Sequence, residues 1–378
     1  MGEIYSVIPE KWVQNGFTLA YLKDLPLFVH GALPGETAAV EIVKSVKGHS
    51  FGICTDVITQ NPQRQHSDCE SFPECGGCSY RHIAYNEEIS LKRKLLTEQQ
   101  YVEKCFETAP ARYFHMDRNE YRNHIQIHHD KTGTGFYMLH SNSIVPFPES
   151  GCRNLSEKLN HAIKTFSFPG EGTFRFREVC GEIYNPDRLE KNKSLTECMF
   201  HNSQKEFMWE FPSDGFFQQN RFLMDQWLLT IAEGVPEGRP DTLELFCGSG
   251  LIGGYIRNAL GQYSGYETHG RSLNFARKNF KRLNLEGNFK NVDLYRTVPD
   301  LSSYKLIIAN PPRAGLKNKI LHELKEWKGN LIYSSCNPHT MNRDLKYLLD
   351  FGYSCTESSI FDFFPGTPHL EVVMSLVR

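Results

Sequence analysis

No stretch of the 378-residue chain approaches the run of roughly 18 apolar residues that a membrane-spanning helix needs. Nor does a basic segment followed by an apolar one open it. Both absences speak against membrane insertion and export, so a cytoplasmic protein is expected. Net charge is nearly missing as well: 42 Lys and Arg against 44 Asp and Glu leave −2, which gives no global pull on nucleic acid and leaves any such partner to local basic patches. Met1-Gly2-Glu-Ile-Tyr-Ser6 formally fits a myristoylation pattern, but so short a match recurs by chance.

What is present is an ordinary globular composition, 40% hydrophobic and 12% aromatic, enough for the cores of about two to three domains. Eleven cysteines without an export signal argue against a disulfide framework and for metal or catalytic use of some of them. From Gly16 to about Val57, short alternating stretches separated by turns such as Leu33-Pro-Gly-Glu36 predict a small antiparallel β-barrel over 1–58. Barrels of this kind often carry oligonucleotides, although a plain packing module fits the pattern equally. Asn61-Pro-Gln-Arg-Gln-His66 reads as a linker. A central α+β domain over 59–205 follows, with a helix from Tyr85 to Glu107 and a strand at Tyr121–Ile127. His124, His128 and His129 on this strand could ligate metal, but histidines facing solvent or RNA are the plainer reading.

Within that domain, Cys69-Glu-Ser-Phe-Pro-Glu-Cys75-Gly-Gly-Cys78 places three cysteines within ten residues. Gly76 and Gly77 let the loop turn tightly and aim N–H groups at sulfur, which suits an iron-sulfur cluster with four Cys ligands. Cys152, after the proline-rich turn at Pro146, is the best-placed fourth. A zinc site and a redox Cys-x-x-Cys are the rivals. The paired Cys-x2-Cys spacing occurs only once, and no thioredoxin-like pattern surrounds it.

From about Gln204 strands and helices alternate, predicting a doubly wound Rossmann-like α/β domain over 206–378. Its first strand, Thr242-Leu-Glu-Leu-Phe246, runs into Cys247-Gly248-Ser-Gly250, whose glycines allow close backbone approach to a ligand at a helix N-terminus. The next ends in Glu267, 19 residues after Gly248, where an acid accepts from ribose hydroxyls in such folds. A third glycine is lacking, so a nucleoside without a pyrophosphate fits better than a dinucleotide. Farther on, Leu306-Ile-Ile-Ala-Asn310 precedes Pro311-Pro-Arg313, and Leu331-Ile-Tyr-Ser-Ser-Cys336 stops at Asn337-Pro338. A cysteine at the mouth of a parallel strand lies where these sheets bind ligands, and the next helix N-terminus would help hold its thiolate. An inert buried cysteine is the alternative. Glu371 interrupts an apolar strand; buried carboxylates are costly unless paired or used, which makes it a candidate base, with an edge-strand surface residue as the alternative.

Assembled, these segments resemble the RNA uracil-5 methyltransferase family, S-adenosyl-L-methionine-dependent enzymes that make 5-methyluridine in tRNA or 23S ribosomal RNA. The barrel resembles the TRAM module, Cys69 to Tyr85 the family's cluster segment, and Tyr121-Arg-Asn123 a central motif. Phe216-Phe-Gln218-Gln-Asn220, Leu245-Phe-Cys-Gly-Ser-Gly250, Asn310-Pro-Pro-Arg313, Ser335-Cys-Asn-Pro338 and His369-Leu-Glu371 follow in family order.

By that resemblance Cys336 is the nucleophile and Glu371 the general base, while Gln218, Phe246, Glu267 and Asn310 contact the methyl donor beside Gly248 and Gly250. Cys69, Cys75, Cys78 and Cys152 match the ligands of a [4Fe-4S] cluster. Asn310 stands where the family usually has Asp, Leu251 where Asn is common, and Arg81 where Gln usually precedes the His. The implied partner is RNA, 23S rRNA ahead of tRNA, for a monomer with no protein partner and no membrane. Two other readings stay open: an amino-group methyltransferase using Asn310-Pro-Pro, and a non-catalytic RNA-binding factor. A basic helix, Arg271 to Arg282, could touch RNA or be a solvated face.

Overall fold

The computed structural model describes residues 3–188, 194–201, 205–215 and 217–378; Phe216 lies outside them. The chain falls into two compact units. The first comprises Met1–Leu95, Asp117–Asp187 and Phe364–His369, the second Leu96–Met116, Arg188–Phe363 and Leu370–Arg378.

In the first unit six strands, Ile4–Val7, Lys11–Trp12, Thr18–Leu22, Leu25–His30, Thr37–Val46 and His49–Thr59, form one sheet. Its pairing is not wholly antiparallel as expected. Leu25–His30 and His49–Thr59 run parallel, Leu27 beside Ser50 and Val29 beside Gly52. The reason lies in the hairpin: Thr37–Val46 takes Ile4–Val7 as its outer neighbour, so its return strand meets Leu25–His30 running the same way. Alternate residues Val7, Ala20, Leu27, Val29, Ala38, Val40 and Cys54 make the core, and Gly52 is required there because a Cβ would lie 2.3 Å from Val40.

Asn61–His66, read as a linker, is fastened to this sheet. Buried Glu36 accepts from Arg64 at 2.6 Å, and Asn61 donates to the Pro34 carbonyl at 2.9 Å. Burial would raise the Glu36 pKa, but Arg64 and the N–H groups of Leu33 and Asn61 outweigh it and hold the carboxyl below its usual range. A second, five-stranded antiparallel sheet carries helix Glu157–Thr165 on a core of Ile125, Ile127, Leu155, Leu159, Ile163 and Phe176.

The helix expected from Tyr85 to Glu107 is two, Tyr85–Thr97 and Gln100–Thr108. Gln99 between them is extended (φ −85°, ψ 99°). The second helix turns Val102 and Cys105 into a hydrophobic core, and that packing overrides local helical propensity.

The second unit is built on strands β1 (Arg112–Phe114), β2 (Thr242–Leu245), β3 (Tyr263–Glu267), β4 (Asn288–Asn291), β5 (Leu306–Ala309), β6 (Asn330–Ser335), β7 (Ser354–Phe361) and β8 (Glu371–Val377). They lie in the order β4-β3-β2-β5-β6-β8-β7-β1. Strands β2 to β6 are parallel, and β8 slots antiparallel between β6 and β7. Every residue of β2 and β5 is buried, as expected of parallel strands covered on both faces. The order reverses between β2 and β5, and the crevice beyond their C-terminal ends is where such sheets bind ligands.

Candidate active site

Strand β6 ends at Ser335, and Asn337 caps the helix Pro338–Asp350 by accepting the His339 N–H at 3.2 Å, with Pro338 in the first turn. Proline tolerates that position because its missing donor would be unpaired anyway. Cys336, between strand and cap, is half-buried. A backbone N–H favours its thiolate but is outweighed. Burial and the charge of Glu371 push the thiol up to about 11, against the pull of Arg313, which donates to the sulfur.

Glu371 opens β8 and is 3% exposed. Because β8 runs against β6 with Val372 opposite Ser335, the strand start that carries Glu371 arrives at the strand end that carries Cys336. Burial raises the Glu371 carboxyl to about 7, while the Ser334 hydroxyl, donating to it, pulls the other way. Ser334 in turn accepts the indole N–H of Trp227 at 3.1 Å. The sequence reading passed over Ser334 and Trp227. Strand periodicity could have found the first, since Ser334 and Cys336 are two apart and share a face; nothing local marked Trp227.

Past β2 the chain makes its sharp turn through three left-handed residues, Phe246 (φ 63°), Gly248 (φ 55°) and Gly250 (φ 78°). The two glycines differ in what surrounds them. A Cβ on Gly250 would crowd Ala276, Phe280 and Phe289 at 3.2 to 3.4 Å, whereas one on Gly248 would meet nothing within 4 Å. Gly250 therefore serves packing, and Gly248 leaves open space at the loop. Gly248 donates to Glu267 at 3.1 Å and His269 donates to its other oxygen at 2.7 Å. Each carboxylate oxygen keeps a free lone pair. Trp209, from the hairpin Ser194–His201 and Lys205–Pro212, braces the loop by donating to Ser249 at 3.2 Å.

Register brings the remaining residues to the same edge. Leu245 lies beside Tyr266 and Ala309, so Phe246 is flanked by Glu267 and Asn310; Phe246 also packs on Tyr295, ring centres 5.5 Å apart. Gln218 is buried in a segment pinned by Asn220, which accepts from Phe222 N–H at 2.9 Å and donates to the Phe363 carbonyl at 3.1 Å.

In the first unit, Cys69, Cys75, Cys78 and Cys152 are all half-buried and share one electrostatic neighbourhood. Cys152 is pushed up to about 12 by burial, then by Cys78 and Cys69. Burial also raises Cys75, followed by Cys78, with Cys152 and Cys69 contributing. Arg81, one departure from the family pattern, is 2% exposed, bonds to Cys78 and donates to Asp68, Asn119 and Asn154 at 3.0, 2.7 and 2.5 Å. Asn154 donates to the Cys78 sulfur at 3.3 Å. Among the described residues, no group of three or more His, Cys, Asp or Glu side chains is arranged to hold a metal ion.

The basic helix Gly270–Arg282 spends most of its charge internally: Arg271 pairs with Asp214 at 2.6 Å, Lys278 with Glu210 at 2.5 Å, and Arg277 donates to the Phe289 carbonyl at 2.8 Å. Among the described residues no helix is long and apolar enough to cross a membrane.

The sequence profile described as tRNA (uracil-5-)-methyltransferase matches residues 187–378. A Leptospira interrogans protein named as an uncharacterized RNA methyltransferase is 34% identical over 98% of this chain and 94% of its own length. The tRNA (uracil(54)-C(5))-methyltransferase of Pyrococcus abyssi is 26% identical over 93% of this chain and 96% of its own. The crystal structure of Pyrococcus abyssi tRNA (uracil-54, C5)-methyltransferase in complex with S-adenosyl-L-homocysteine superposes with a TM-score of 0.73 at 23% identity, over 98% of this chain and 99% of that one. The last likeness establishes an α/β mixed-sheet methyltransferase fold preceded by N-terminal strands. With the profile and the Leptospira relative, it follows that this chain belongs to the tRNA (uracil-5-)-methyltransferase family and is an RNA methyltransferase.

Proposed function

We propose that the protein transfers a methyl group from S-adenosyl-L-methionine to C5 of a uridine in structured RNA through a covalent adduct of Cys336 with C6. The observation that carries this reading is the meeting of Cys336 and Glu371 at the junction of β6 and β8. Uracil C5 is too weak a nucleophile to take a methyl group unaided. Addition of the Cys336 thiolate to C6 moves the ring electrons into an enolate whose C5 can attack the methyl carbon of the donor. C5 then carries a methyl group and a proton; Glu371 takes the proton, the C5–C6 double bond re-forms, and the thiolate leaves. The target base must leave its stack to reach such a site.

The donor's methyl carbon supplies the electrophile. Gly248 fits an adenosine-containing donor because its open side admits close approach, and Glu267 has lone pairs to spare for ribose hydroxyls. Gln218, Phe246 and Asn310 complete the proposed donor contacts, with Asn310 bringing an amide where charge is usual. Incubation of Cys336→Ala with RNA and labelled donor tests the scheme: no 5-methyluridine is expected by nucleoside mass spectrometry, and its persistence would remove the mechanism. A methylated exocyclic nitrogen would instead favour the amino-group reading.

The four cysteines are proposed to hold a [4Fe-4S] cluster. Their donor set and the Arg81 and Asn154 donors at Cys78 suit one. Methyl transfer needs no electron, so the group would serve structure or RNA contact. The N-terminal sheet is proposed as a TRAM-like RNA-contacting module, and the resemblance of the cysteine set to that of ribosomal members favours 23S rRNA. The likeness to the Pyrococcus enzyme supports tRNA as the second reading.

A further inference from the structure

The Cys336 sulfur has two charged neighbours of opposite sign. Glu371 from β8 raises its pKa, and Arg313 from the loop after β5 lowers it and donates a hydrogen bond to it. That loop is tied to the helix that follows the cysteine. Asn337 Nδ2 and Thr340 Oγ1 both donate to the Arg313 carbonyl, at 2.9 and 3.1 Å, and Arg343 Nη2 donates to the Ala314 carbonyl at 3.0 Å. Farther along, Leu316 N–H donates at 2.8 Å to Asp344, which is fully buried and takes the Tyr333 hydroxyl at 2.8 Å.

A closed circuit results. From the sulfur the covalent chain leads to Asn337, the Asn337 amide to the Arg313 backbone, and the Arg313 side chain back to the sulfur. The Arg313 backbone therefore cannot move away from the cysteine without breaking bonds at the helix cap.

We propose that Arg313 is a further catalytic residue: its guanidinium receives the Cys336 thiolate as an ion pair and holds it, against the neighbouring Glu371, in position to attack. The inference rests on the reading of Cys336 as nucleophile. The balance is simple. The thiol proton passes to water, the electron pair stays on sulfur for the S–C6 bond, and no oxidant or reductant takes part. Arginine suits the role because it stays charged whatever the pH of the reaction and its planar fork holds direction, and its charge opposes that of Glu371 at the half-buried thiol.

The test needs neither RNA nor donor. The full chain is alkylated with iodoacetamide across neutral to alkaline pH, and Cys336 is followed by peptide mass spectrometry, because ten other cysteines compete among the eleven. Arg313→Met is expected to raise the Cys336 midpoint by about one unit, and so to slow alkylation about tenfold at any pH below it, the usual size for loss of a neighbouring opposite charge. Arg313→Lys should fall between Met and the native residue. A folded Arg313→Met protein, by circular dichroism, that keeps the native midpoint would overturn the proposal. Methylation surviving in Cys336→Ala would overturn the nucleophile reading instead, so the two failures are told apart.

Discussion

Ser334 on β6 gives its hydroxyl proton to Glu371 on β8, and the bond joins the strand of the nucleophile to the strand of the base. Trp227 donates to one of the hydroxyl's two lone pairs, and the Ser334 proton points to the carboxylate. The carboxylate is thus aimed as well as buried.

A pH dependence follows. With its pKa near 7, Glu371 is only half ionised at neutrality, and proton removal from C5 needs the ionised form. Product release in single turnover should therefore rise as pH passes about 7. Ser334→Ala removes a bond that favours the charged form, so the rise should move to higher pH; a profile left in place would separate Ser334 from the base. In Glu371→Gln the step should stall, leaving a protein–RNA adduct that survives denaturing electrophoresis.

Glu244 on β2 has no proposed part in the reaction and offers a stability test. It is 1% exposed and accepts from Tyr263 and Gly253 at 2.6 and 2.9 Å, yet burial raises it from 4.5 to about 7. Between those values the folded form holds a proton that the unfolded form has lost. Its stabilising contribution is thus complete below the unfolded pKa and is lost as pH rises through about 7, a change on the order of 3 kcal/mol. Glu244→Gln should flatten that part of the urea-midpoint profile. An unchanged slope would mean that Glu244 titrates normally.

Gly248 and Gly250 should separate donor binding from folding. Gly248→Ala places a methyl group in open space at φ +55°, so calorimetry with S-adenosyl-L-methionine should show weaker binding, with a stability cost of only about 1 kcal/mol from the left-handed backbone. Gly250→Ala overpacks the contacts with Ala276 and Phe280 as well, and should lower stability by about 1–3 kcal/mol more. Equal affinities for the donor in native and Gly248→Ala protein would move the donor away from this loop.

Anaerobic purification should give a brown protein with absorbance from thiolate-to-iron charge transfer, bleached in Cys75→Ala. Stoichiometric zinc in a colourless protein would replace the cluster with a single-ion site.

Much of the second unit was legible because strong local signals agreed. The apolar runs of β2 and β5, the glycine turn and Pro338 after Cys336 each have a physical reason to sit where they do, and the register then aligns them. The rest depended on partners far away in sequence. Trp227 reaches Ser334 across 107 residues, and no pattern near either one announces the bond. Helical periodicity ran through Gln99 because the break there comes from tertiary packing, not from a proline or glycine. The raised thiol pKa of Cys336 was illegible for a similar reason: a sequence shows the helix that follows a cysteine but not the depth at which the sulfur lies or the carboxylate beside it.

Strand β8 follows β6 and β7 in the chain yet lies between them. The parallel strands can pair with one another before it arrives, but Cys336 and Glu371 become neighbours only when it inserts, and non-local pairings of this kind form slowly. During refolding, then, methyl transfer is expected to return no sooner than this last strand, later than the recovery of secondary structure. The enzyme's activity is in that sense a clock for completion of its own sheet.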